Sequence, residues 1–179
     1  LFVGLTLQSS MRKILASLFP CWLFLYSVYS YSQTDPNLVL SSRPWFWQFQ
    51  QYMWQLGFHN KTLSTFIFAV LILLLFISYS QIIRSELTRK QVVRLFIVSL
   101  IALLPAYPAL SHDIFNYLFN AKIVVQYQAN PHIQVALDFP DDPWLSFMHN
   151  VHTPAPYGYG WTAFSVIPYW LGRGYLQGE

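Results

Sequence analysis

The sequence predicts an all-α membrane protein with three full transmembrane helices and the start of a fourth. An interfacial helix and a long extracytoplasmic loop complete the expected fold. Three observations lead there. First, of 179 residues 55% are hydrophobic, 19% aromatic and only 9% charged, whereas a soluble domain carries about a quarter charged residues. So few charges cannot clothe a globule in water-compatible surface. Second, uncharged apolar runs of membrane-crossing length recur. Third, Lys and Arg cluster at the ends of those runs, as they do in cytoplasmic loops of membrane proteins. The net charge of +3 is small, and the basic residues form no stripe interleaved with exposed stacking groups, which argues against a nucleic-acid partner. The single cysteine, Cys21, excludes an internal disulfide and a four-Cys metal site. It reads as a small buried apolar residue.

Residues 1–13 read as a cytoplasmic N-terminal extension, with Met11-Arg12-Lys13 as the start and the ten preceding residues upstream of it. The segment 14–34 carries no charge and gives a first transmembrane helix over 13–31. A signal peptide is the lesser option, since the run is long enough to span and Ser-Tyr-Ser-Gln-Thr makes a poor cleavage site. Pro20 is placed to kink this helix, which membrane helices tolerate. Asp35-Pro36-Asn37 ends it. Residues 44–56 mix Trp, Phe and Tyr with Gln, too polar to span but suited to the headgroup layer. They are predicted to lie as a helix in the membrane plane.

Residues 63–83 are uncharged and rich in Leu, Ile and Phe. At 1.5 Å per residue they cross a hydrocarbon core of about 30 Å. Residues 84–94 hold four of the basic residues, which places them in the cytoplasm on the same side as Arg12 and Lys13. The third span is 95–110, with Gln91 a possible start and Arg94 snorkelling to the headgroups. Pro105 and Pro108 bend or end it. Residues 14–110 thus hold spans one to three, 111–160 form the extracytoplasmic loop, and 161–179 begin a truncated fourth span that halts at Gly172-Arg173-Gly174. The chain reads as the front part of a longer membrane protein.

The loop 111–160 carries the chemistry. Ser111 is a good N-cap, which would put Asp113 in the first turn of a helix, where the helix dipole favours a carboxylate. On that helix Asp113, Asn116, Tyr117 and Asn120 follow i, i+3, i+4, i+7 spacing and form one polar stripe. Lys122 lies half a turn round and faces away from Asp113. The plain interpretation is a solvated helix start. The sharper one is a general base held at the membrane surface by Phe115, Tyr117 and Phe119. Asn130-Pro131, Pro140-Asp141-Asp142-Pro143 and Pro154-Ala155-Pro156 punctuate the rest with turns. Gly158 and Gly160 give two flexible positions before the last apolar run. His112, His132, His149 and His152 offer no third ligand at a recognised spacing, and Asp138, Asp141 and Asp142 round a proline turn read as solvated. No metal and no cofactor is assigned.

Asp113-Ile114-Phe115-Asn116-Tyr117, then Asn130-Pro131-His132, then Tyr157-Gly158 before an apolar run, resemble the first extracytoplasmic loop of glycosyltransferase-C superfamily proteins. The likeness is to their polyprenol-phosphate-dependent mannosyltransferase branch and covers the last third of the chain. His132 stands where that family often has Tyr, and Tyr159 where it often has Pro. The resemblance implies transfer of a sugar from a polyprenyl-phosphate-linked donor to the hydroxyl of a glycan or lipid acceptor, with inversion. Asp113 would be the catalytic base. Asn116, Tyr117, Asn130, His132, Tyr157 and Gly158 would bind substrate, and Lys122 is the candidate to meet the lipid phosphate. The rival class is a non-catalytic multi-pass membrane protein, such as a transporter piece or an assembly subunit. The spans carry no ionisable residue at their centres, which a transport pathway would favour.

Overall fold

The computed structural model describes residues 12–38 and 40–176, with 173–176 described through their backbone alone. Of the expected extension over 1–13, residues 1–11 lie outside the described residues and 12 and 13 are helical; the closing residues 177–179 also lie outside. Every regular element among the described residues is helical. The chain divides into two units. One comprises Leu1–Thr34, described from residue 12, and Phe49–Tyr107. The other comprises Asp35–Gln48 and Pro108–Glu179, described to residue 176.

In the first unit, two helical stretches are long and apolar enough to cross a membrane, Arg12–Gln33 with 22 residues and Lys61–Arg84 with 24. The first contains α1, Phe19–Ser30. The stretch is interrupted by a turn at Leu18, and Pro20 stands in the first turn of α1 just after it, so the break falls beside the proline as expected. α2, Pro44–Trp54, whose residues 44–48 belong to the second unit and 49–54 to the first, falls where the interfacial helix is expected, and a π-type turn, Gln55–His59, continues it. α3 is Lys61–Arg84 and α4 is Arg89–Leu103. A capping box starts α4: the Thr88 hydroxyl accepts from the Gln91 N–H, and the Gln91 side chain accepts from the Thr88 N–H.

α4 has 15 residues, about 22 Å at 1.5 Å each. The third expected span, 95–110, is therefore a shorter helix that begins earlier and ends at Leu103. Leu104, the C-cap, keeps helical geometry; Pro105 then has no N–H to extend the ladder, and the helix stops.

The packing of this unit is inverted relative to a water-soluble bundle. α1 packs against α3 and α4. On α1, Ser27 and Ser30 are fully buried, while Phe24 is 51% exposed. On α3 the buried residues are Ser64, Leu71 and Ser78, spaced one heptad apart, while Phe66, Leu73, Phe76 and Ile83 point outward. Hydroxyls join the helices: Ser27 Oγ donates to the Ala102 carbonyl at 2.7 Å, and Tyr29 Oη lies 2.9 Å from Ser64 Oγ. Ser30 Oγ accepts from the Tyr107 N–H at 2.8 Å. Small and hydroxylated residues at the contacts, with large apolar side chains outside, are the pattern of helices packed in lipid, where burying Leu or Phe gains little. Cys21 is also exposed on α1 and not buried as expected; it lies on the outward, apolar side. Gly57 in the π-type turn sits against the Ser32 carbonyl so closely that any Cβ would overlap it.

In the second unit, α5 is Asp113–Val125 and α6 is Tyr159–Leu176, and the two pack together. The loop between them holds two 3-10 turns, Ala136–Asp138 and Pro143–Ser146. It is tied to itself by backbone bonds from Ala155 to Pro131 at 2.8 Å and from Leu137 to Val151 at 3.2 Å. α6 starts two residues before the expected span and continues through Gly172-Arg173-Gly174, where a stop is expected, with Pro168 inside it. Gly160 lies in its first turn, and the Gly158 carbonyl accepts from the Trp161 N–H. These two glycines start a helix and are not a flexible joint.

Candidate active site

The polar stripe of α5 faces a cavity of about 310 Å³ in the second unit, not open water. Asp113, Asn116, Tyr117 and Asn120 form one wall. The loop supplies the other through Met148, Asn150, Thr153 and Tyr157, with Pro154 and Pro156. The stripe arises because spacings of three and four residues return to one helix face. The helix begins one residue later than expected: His112 takes the N-cap position, and Ser111 Oγ accepts from the Asp113 N–H at 3.3 Å. Asp113 stands in the first turn and is exposed.

Two features give the cavity a chemical character. Asn116 Oδ1 is buried without a hydrogen-bond partner. An unpaired buried acceptor costs about 1–3 kcal/mol, and a ligand hydroxyl would recover that cost. Tyr117 packs edge-on against Tyr157 and Trp161, with ring centres 5.6 and 5.7 Å away. A hydrogen bond with Tyr157, then burial, then the nearby negative charge of Asp113 push the Tyr117 phenol up to about 12. It therefore stays protonated and can donate.

Charge is distributed unevenly. Asp113 is the one charged residue lining the cavity. Lys122 does not reach it. Its Nζ lies 2.6 Å from Asp142 Oδ2, both side chains almost fully buried, and 4.8 Å from the centre of the Trp144 ring. Asp142 also accepts from Tyr127 Oη at 2.6 Å and from the Trp144 N–H at 2.9 Å. Burial and this carboxylate raise the Tyr127 phenol above its ordinary range. Lys122 is thus committed to a buried clasp between α5 and the loop, which corrects its expected role as a phosphate ligand. Asp142 is likewise paired rather than solvated. Asp138 accepts from the Val135 N–H at 2.8 Å, stabilising its own turn.

The other expected site residues separate into two groups. Tyr157 lines the cavity with Asp113, Asn116 and Tyr117. Asn130, His132 and Gly158 are not among its lining residues. Asn130 Oδ1 accepts from the His132 N–H at 3.0 Å and builds a turn. His132 lies 3.2 Å from the Thr162 hydroxyl and against the Tyr159 ring, with centres 4.1 Å apart, so it docks the loop on α6. His112 and His149 have ring centres 4.9 Å apart. Burial, then the neighbouring His149, lowers the His112 pKa, with Asp35 and Asp113 opposing. Among the described residues no three metal-binding side chains gather.

Asn150 and Thr153 are cavity residues that the sequence did not single out. The signal available was Asn150 between two histidines just ahead of a Thr-Pro turn. Asn150 adopts a positive φ of 56°, which asparagine tolerates better than most residues.

Fold and site define a helical protein with membrane-length apolar helices and, in a second unit, a polar cavity bearing one unpaired carboxylate. No family model, curated protein sequence or solved structure matches the chain.

Proposed function

We propose that the protein is a multi-pass membrane glycosyltransferase. It transfers a sugar, mannose being the one the resemblance implies, from a polyprenyl-phosphate donor to an extracytoplasmic glycan or lipid hydroxyl. In this reading α1, α3 and α4 are transmembrane, α6 begins a fourth span, residues 84–94 are cytoplasmic and 111–160 extracytoplasmic. The short α4 crosses by local thinning of the bilayer and snorkelling of Arg94. The inverted packing of the first unit supports the membrane setting, and the family-like motifs support the transferase.

The observation that carries the reading is the exposed Asp113 carboxylate on a cavity lined by neutral amides and hydroxyls, with the Asn116 oxygen unpaired. Such a lining suits a polyol, which offers a donor and an acceptor at each hydroxyl. It has no cation to bind a phosphate, so the lipid phosphate is held outside this cavity. In the reaction Asp113 removes the proton of the acceptor hydroxyl as its oxygen attacks C1 of the donor sugar from the face opposite the phosphate. The C1–O bond breaks, the polyprenyl phosphate leaves with the electron pair, and the configuration inverts. Tyr117, kept protonated, and Asn116 orient the hydroxyls.

The test uses the full-length protein in membranes with a polyprenyl-phosphate-linked labelled sugar. Asp113→Asn is expected to lower transfer by about 10²–10⁴-fold, the usual worth of a general base, with membrane insertion unchanged. Transfer at the wild-type rate would refute the assignment.

A further inference from the structure

The outward face of α4 is polarised along its length. Arg89 and Lys90 lie at one end, Ile97 and Val98 at the other, with Val93 and Arg94 side by side between them, together lining an open groove of about 450 Å³. The numbering explains the shared face: 89, 93 and 97 form one row at intervals of four, and 90, 94 and 98 form the next. Leu95, Ser99 and Ala102 fall on the opposite side, where Ala102 is buried and its carbonyl accepts from Ser27 of α1. The helix packs by that side and leaves the groove uncovered. Val93, Ile97 and Val98 are 48%, 50% and 44% exposed.

α4 contains no acidic residue, and none of its three cations has an ion-pair partner among the described residues. Three unneutralised charges therefore sit directly above an apolar strip on one helix face, about 13 Å from Arg89 to Val98 at the helical rise. A purely apolar occupant would leave the cations unanswered, and a free anion would leave the strip unanswered. The ligand that satisfies both ends is an amphiphile with an anionic head and a hydrocarbon tail.

We propose that this face binds an anionic phospholipid. The lipid phosphate lies among Arg89, Lys90 and Arg94, and one acyl chain lies along Val93, Ile97 and Val98. The site is separate from the Asp113 cavity and holds whether or not the chain is a transferase. Arg94, midway down the groove, is suited to a bidentate contact with phosphate oxygens, while Lys90 contributes a point charge.

The test reconstitutes the full-length protein in vesicles of mixed phosphatidylcholine and phosphatidylglycerol, then identifies lipid retained on the protein by native mass spectrometry. Phosphatidylglycerol is expected to be enriched over its share in the vesicle. Each cation removed should lower that enrichment about fivefold, the worth of one basic residue near an anionic surface. Arg89→Gln, Lys90→Gln and Arg94→Gln together should abolish it. Because those charges also guide topology, Val93→Ser, Ile97→Ser and Val98→Ser provide a second arm that leaves every charge in place; they should reduce lipid retention with insertion intact. No enrichment on the wild type overturns the proposal. So does unchanged enrichment in the apolar-strip variant, which would mean diffuse charge attraction without a groove.

Discussion

Replacing Asp142 by asparagine tests what holds the cavity wall in place. The Lys122 ammonium is only 3% exposed and Asp142 5%, and their side chains meet at 2.6 Å. Removing one partner of a buried pair leaves an uncompensated charge and costs about 3–5 kcal/mol. The two halves of the clasp are not equivalent. With Asp142 changed to asparagine, the ammonium loses its counter-charge and keeps a neutral amide oxygen and the faces of Trp144 and Phe119, at 4.8 and 5.7 Å, the faces worth about 2 kcal/mol when desolvated. With Lys122 changed to methionine, Asp142 still accepts from Tyr127 and from the Trp144 backbone. Asp142→Asn should therefore lie near 5 kcal/mol and Lys122→Met near 3. The double variant should recover much of the loss, because neither charge is then left buried without its partner. Hydrogen exchange over residues 126–147 measures this directly. A loss of about 3 kcal/mol speeds exchange roughly 150-fold where opening is local. If both single variants exchange within about fivefold of wild type, or the double variant loses the sum of the two, the clasp does not restrain the loop.

Three other perturbations have defined directions. Gly57→Ala drives a methyl group into the Ser32 carbonyl and should cost about 1–3 kcal/mol, read as a lower unfolding temperature in detergent, whereas Gly158→Ala meets open space and should leave that temperature near wild type. Tyr117 and Tyr127 both hold their protons more tightly in the fold than the ordinary value of 10.0. The unfolded chain thus ionises first: stability is intact below about pH 10 and falls as pH climbs through the folded values, for Tyr117 up to about 12. Tyr117→Phe and Tyr127→Phe should each flatten that alkaline loss in denaturation measured against pH. His112 is shifted the other way, below 6.5. Its contribution is present above pH 6.5 and lost as pH falls through the lowered folded value, since the unfolded chain takes the proton first. His112→Gln should remove this acid-side slope, and an unchanged slope would mean another group causes it.

The parts of the fold set by long apolar runs were legible in the sequence. Arg12–Gln33, Lys61–Arg84 and the helical character of 44–54 follow from composition and length alone. What composition could not give was where helices stop and which faces meet. α4 ends early because of Pro105, but α6 runs through two glycines and an arginine that read as a terminator, since a glycine costs a helix only about 1 kcal/mol and does not break it as a proline does. The contacts of α1 rest on Ser27, Tyr29 and Ser30, residues that look incidental in an apolar run until lipid is taken as the solvent. In the site, helical spacing was enough to place Asp113, Asn116, Tyr117 and Asn120 on one face. The far wall was not legible, because Asn150 and Thr153 reach the cavity through loop turns that no periodicity encodes. Lys122 was misread for a related reason. Its partner Asp142 lies 20 positions away in a proline turn, and only the folded loop brings it within reach.

That pairing also constrains how the proposed chemistry is organised. A carboxylate that is to accept a proton during reaction works best when it faces neither a cation nor a crowd of donors. Lys122 could have neutralised Asp113 had it pointed the other way on α5. Instead the helix turns it to the opposite face, where Asp142, itself held by the Tyr127 hydroxyl, meets its charge. The same arrangement keeps positive charge out of the cavity, so an anionic group entering there meets Asp113 without compensation. In the proposed reaction the cavity would therefore favour neutral hydroxylated ligands, with the donor phosphate met beyond its walls. The buried clasp and the unpaired carboxylate are two consequences of one helical register, in which the polar stripe and the lysine fall on opposite sides of thirteen residues.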